Sequence, residues 1–98
     1  MADDATRISL DGEMTIYRAA DLKVMLLEAL RKTRVLEVDL SAVTELDTAG
    51  LQVLMLAKQT AAAEQRELRL LQHSPAVVEI FEMLDLVAFF GDAVLIHA

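Results

Sequence analysis

Asp47-Thr48-Ala49-Gly50 is the run whose residue types and spacing could do chemistry. It stands where an apolar stretch stops and a long helix-like apolar run starts. Asp is a preferred residue for capping the free N–H groups at a helix start. With Asp47 as the cap, Thr48 falls in the first turn, its hydroxyl near solvent at the positive end of the helix dipole. A phosphate on that hydroxyl would meet free backbone N–H groups and a favourable dipole. The same four residues also make an ordinary helix cap, and spacing alone accommodates both readings.

Other chemistries find less support. His73 and His97 are the only histidines, and neither belongs to a ligand pair at helical spacing. They are expected to be surface or partly buried side chains. There is no cysteine, hence no thiol nucleophile, disulfide or thiolate metal site. No G-x-S-x-G elbow, G-x-G-x-x-G loop or Walker A sequence occurs. Asp11, Glu13, Asp39, Glu45 and Asp47 could gather near strand ends, where paired carboxylates can do acid–base work. Solvated or turn-capping acids are far commoner. The chain is therefore expected not to be an enzyme and to need no metal or cofactor.

Composition narrows the setting. The 98 residues suit one domain with one core. Hydrophobic residues make up 55% and aromatics only 4%, so that core must be aliphatic. A net charge of −7 disfavours nucleic acid, whose phosphates require a basic surface, and disfavours an anionic membrane. It suits solubility, or a partner with a basic patch. Met1 to Thr6 is acidic and lacks the apolar core of a signal peptide. The most apolar stretch, Leu51 to Ala57, is far shorter than the roughly 20 residues that span a bilayer. A cytoplasmic location is the expectation.

The elements that must position the Asp47 turn follow from periodicity. Arg7 to Leu10 alternates as a half-buried strand does. Asp11-Gly12 predicts a turn, with Met14 to Ile16 returning as a second short strand. From Ala19, the residues Leu22, Met25, Leu26, Ala29 and Leu30 share one helical face. Val35 to Leu40 predicts a strand buried on both faces, and Ser41 to Glu45 a link. A second helix runs from Leu51 to about Gln65, greasier than one buried face requires. Glu67 to Leu71 predicts a strand. Ser74-Pro75 opens a third helix, with Ser74 as cap and Pro75 at the first helical position. Its apolar face is Val77, Ile80, Phe81 and Leu84, and Glu79 and Glu82 face water. Ala93 to Ile96 predicts a last strand, with Phe89 and Phe90 packed before it. Alternating strands and helices imply an α/β domain with a parallel or mixed sheet.

With these elements in place, Val38 to Leu54 resembles the signature of the STAS domain, the family named for sulfate transporters and anti-sigma factor antagonists. The signature is a strand ending in D-L-S (Asp39-Leu40-Ser41), then D-S/T-x-G-L (Asp47 to Leu51) before an apolar helix. Leu10-Asp11-Gly12-Glu13-Met14 resembles the family's L-x-G-E-L segment, and Ser74-Pro75-Ala76-Val77 its S-P-x-V. The resemblance implies a mixed β-sheet with helices packed mainly on one side, over residues 6–97 after a tail of residues 1–5. It implies that an additional N-terminal strand of longer members is absent or very short.

By resemblance, Thr48 is the phosphoacceptor of an anti-sigma factor antagonist, a bacterial regulator of transcription. In that role the chain binds an anti-sigma factor that is also a serine/threonine kinase, and phosphorylation abolishes binding. Two positions depart from the pattern. Thr48 replaces the Ser of sporulation-type members but keeps the hydroxyl, and Thr15 stands where many members carry an acid. Alternative roles within the family are a constitutive subunit on the ATPase of a phospholipid ABC transporter and an adaptor beside chemotaxis or two-component signalling. In each case the expected docking surface comprises Asp47, Thr48, Ala49, Gly50, Leu51, Gln52 and Met55. Homodimerisation through the same apolar helix is compatible with all of them.

Overall fold

The structure, a computed structural model, describes residues 5–83. Its elements are β1 (Ala5–Met14), α1 (Ala19–Arg31), β2 (Val35–Leu46), α2 (Thr48–Ala63), β3 (Glu67–Leu71) and α3 (Pro75–Met83). The expected final strand, Phe89, Phe90, Leu84 and His97 lie outside the described residues.

The three strands pair in the order β1-β2-β3, and both pairings are parallel. Parallel neighbours can be joined only by a crossover, and α1 and α2 supply the two crossovers. Leu36, Val38 and Leu40 on β2 point into a core completed by Leu10 and Met14, by Leu68 and Leu70, and by the helices. Leu22, Leu26 and Leu30 of α1 supply one helical stripe, and Leu51, Leu54, Ala57 and Ala61 of α2 another. Val77 and Phe81 bring in α3. This is the α/β layout expected, with helices against one face of the sheet.

The other face of β2 is not buried, contrary to the two-sided burial its apolar run predicted. Buried residues alternate with partly exposed ones, and Glu37 and Asp39 occupy the open face. There the register sets Arg7, Glu37 and Arg69 side by side on three strands. Glu37 lies 3.4 Å from Arg7 and 3.6 Å from Arg69, and Arg69 is 2.7 Å from Glu67. Opposite charges directly across strands give this face a polar reason to stay uncovered.

Two further expectations are corrected. Asp11-Gly12 is no hairpin turn: β1 runs straight through to Met14, and no return strand forms over Met14 to Ile16. Ser41 to Glu45 is no link, because β2 continues to Leu46. One long strand supports the other. β2 accommodates extra residues as bulges: it advances from Asp39 to Ala42 while β1 advances from Ser9 to Asp11, and from Val43 to Glu45 while β1 goes from Gly12 to Glu13. Bulges bend and twist a strand locally, here just before the Asp47 turn. Gly12 does adopt φ +70, the conformation that suggested a turn, but does so inside the strand.

Candidate functional site

The Asp47 turn forms where the C-terminal ends of β1 and β2 meet the start of α2. Asp47 caps α2 with an extended backbone, as a cap residue should. Its Oδ1 accepts from the Gly50 N–H at 2.9 Å. Its Oδ2 accepts from the Ile16 N–H at 3.0 Å, across 31 residues of sequence. One carboxylate therefore ties the first turn of α2 to the loop after β1. The Gly50 N–H, and after it the Ile16 N–H, hold the Asp47 carboxyl below the usual carboxylate range. The charge is thus fixed where the helix dipole favours it.

Gly50 lies inside the first turn of α2, and its role is space. A Cβ there would stand 2.0 Å from the Met14 carbonyl oxygen and 3.0 Å from Leu46 Cδ1. The same Met14 oxygen accepts from the Asp47 N–H at 3.2 Å. α2 can begin against the end of β1 only because this residue has no side chain.

Thr48 is exposed at the first position of α2. Beside it, the turn from Thr15 to Arg18 closes with an Arg18 N–H to Thr15 carbonyl bond of 2.9 Å. That turn lifts Ile16 and Tyr17 into solvent, at 64% and 89% exposure. A shallow groove of about 300 Å³ runs from Ile16 and Ala19 to Ala49, Gln52 and Leu56. Arg18 fixes the loop from behind: its Nη1 donates to the carbonyl oxygens of Asp11 at 2.6 Å and Glu13 at 2.7 Å. It covers part of the outer edge of β1, packing over Gly12.

The residues expected to form the docking surface divide. Thr48 and Gln52 are exposed, and Asp47 and Ala49 are partly so. Gly50 and Leu51 are buried and shape the turn from within. Met55 is half-buried against the core. Ile16, Tyr17 and Arg18 are absent from the expected docking surface, because the sequence pattern predicts a strand over Met14 to Ile16 and not an exposed turn. The available signal was two large apolar residues and an arginine between a strand and a helix start.

The remaining candidates are placed as follows. His73 is buried, with its ring edge-on to Phe81 at 6.0 Å. Asp39 accepts from the Ser41 N–H at 2.8 Å, which lowers its pKa. Among the described residues, no three His, Cys, Asp or Glu side chains are grouped to hold a metal ion. No described helix is long and apolar enough to cross a membrane.

Comparison with known proteins agrees with this layout. The family model described as "Mlab, STAS domain" matches residues 1–95. No curated protein matches by sequence. Among solved structures, the anti-sigma factor antagonist SpoIIAA in its unphosphorylated form superposes with a TM-score of 0.73 at 19% identity, covering 95% of this chain and 84% of that one. An anti-sigma factor antagonist from Mycobacterium paratuberculosis gives 0.76 at 22% identity, covering 94% of this chain and 79% of that one. At such identities the likeness is one of fold.

Proposed function

The chain belongs to the STAS domain family, and from that premise we propose that it is a protein-docking module whose partner binds at the Thr48 end and is released when Thr48 is phosphorylated. The observation that carries this reading is the exposed Thr48 hydroxyl at the start of α2, flanked by exposed Ile16 and Tyr17. Solvated apolar side chains at the rim of a groove favour a protein partner. A phosphate on Thr48 would carry about two negative charges and a hydration shell. Its bulk and hydration would sit over the Ala49–Gln52 surface and oppose burial of the neighbouring apolar groups. In this reading the chain acts as an anti-sigma factor antagonist in a partner-switching pathway, and its partner is an anti-sigma factor kinase.

A second reading keeps the surface and drops the phosphate: a constitutive subunit on a transporter ATPase. The apolar groove from Ile16 to Leu56 supports it, because that surface can dock a partner without a phosphate on Thr48. Co-purification from the native host, followed by intact-mass analysis with ATP, separates the two. A kinase partner and one added phosphate, lost in Thr48→Ala, support the switch. An ATPase partner that binds Thr48→Ala unchanged, with no mass gain, supports the constitutive subunit.

A further inference from the structure

A second groove flanks the Asp47 turn on the side away from α1. About 320 Å³ in volume, it lies between the ends of β1 and β2 and one face of α3. Its walls carry Glu45, Asp47 and Glu79, and Leu46 and Ile80 give it an apolar floor. Glu45 and Glu79 are exposed and make no ion pair or hydrogen bond among the described residues. Asp47 adds a carboxylate held ionised by backbone N–H groups. Thr15 also lines the groove; only 8% exposed, it has a buried hydroxyl oxygen without a partner among the described residues. A buried hydroxyl usually finds one, so an unmatched one in the lining of the same groove leaves a hydrogen-bonding position open there.

We propose that this groove receives an arginine side chain of the partner protein. The proposal rests on the reading of the Thr48 end as the docking face and names the chemistry that face recognises. An arginine matches both halves of the groove: its methylene stem covers an apolar floor while its planar head donates to carboxylates. Among the described residues no three acids are grouped to hold a metal ion, and acids on separate elements suit a wide, delocalised cation. The chain's net charge of −7 would draw such a partner from a distance.

The test uses the full chain, labelled with ¹⁵N, and Nα-acetyl-arginine methylamide as the probe, with the uncharged citrulline analogue as control. Saturable amide shifts at Thr15, Glu45, Asp47, Ala76 and Glu79 are expected with arginine and not with citrulline. Two exposed carboxylates supply the selectivity, so Glu45→Gln/Glu79→Gln should weaken binding about three- to tenfold, less at high salt. Equal shifts with both probes overturn the proposal. So do shifts spread alike over Asp21 and Glu28 of α1, or an unchanged affinity in the double variant. Thr48→Glu separates this from the docking reading. It should leave the arginine shifts in place and abolish partner binding, so either claim can fail while the other stands.

Discussion

Replacing Gly50 by alanine sets two known effects against each other. In a helix interior, alanine is favoured over glycine by about 1 kcal/mol. Against this, the new Cβ would stand 2.0 Å from the Met14 carbonyl oxygen and 2.7 Å from the Met14 carbonyl carbon. Both atoms are backbone, so no side chain can swing away. Reaching an ordinary contact moves the start of α2 or the end of β1 by more than about 1 Å, and overpacking of this kind costs roughly 1–3 kcal/mol or more. The shift also disrupts the 3.2 Å bond from the Asp47 N–H to the Met14 oxygen, a further loss of about 1 kcal/mol. The sum is a net destabilisation of about 1–3 kcal/mol. For a domain of this size that lowers Tm by roughly 5–20 °C. Urea and thermal unfolding of Gly50→Ala beside the parent chain measure it. A variant as stable as the parent, or more so, would refute the claim that close approach decides the residue at this position.

Other positions yield sharper contrasts. Thr48→Ala removes an exposed hydroxyl and should change stability by less than about 0.5 kcal/mol in urea unfolding, while preventing any phosphate addition seen by intact mass. Arg18→Ala loses two hydrogen bonds to strand carbonyls at the β1 edge; a loss of about 1–2 kcal/mol is expected in urea unfolding, with Lys restoring only part of it. The Asp47 carboxyl is held below the ordinary aspartate value of 3.8, so it contributes stability that is present above that value and lost as pH falls through the lowered folded-state pKa. The stability gap between the parent and Asp47→Asn, followed by unfolding across acid pH, should therefore be constant near neutrality and shrink below about pH 3.8. Glu37→Gln removes the centre of the Arg7–Glu37–Arg69 ladder and should cost at most about 1 kcal/mol, a difference that fades in high salt.

Much of this architecture was legible in the chain because its signals are local. A helix face repeats within a few residues, so Leu22, Leu26 and Leu30 mark α1 without reference to anything else. Caps are equally local: Asp47 and Ser74 lie next to the N–H groups they accept from, at Gly50 and Val77. Errors arose where a residue's partner is distant in sequence. Asp11-Gly12 has turn-forming residues, yet β2 holds it in a strand and Arg18 secures its carbonyls. Val35 to Leu40 is apolar enough for two-sided burial, yet the cross-strand charges of Arg7 and Arg69 meet Glu37 on an open face.

The candidate site divides the same way. The alternation of helices and strands from Ala19 to Met83, the cap at Asp47 and a hydroxyl at the head of a helix were determined by the sequence alone, since their signals are local. Only the tertiary structure decided what surrounds that hydroxyl. It brought Ile16 across to Asp47, lifted Tyr17 into solvent and faced Glu79 of α3 toward Glu45 of β2. It also supplied the reason for Gly50, which leaves room for the Met14 carbonyl. The approaches of Ile16 to Asp47, Gly50 to Met14 and Glu79 to Glu45 join segments 30 or more residues apart. They depend on the packing of whole elements, which no local pattern encodes.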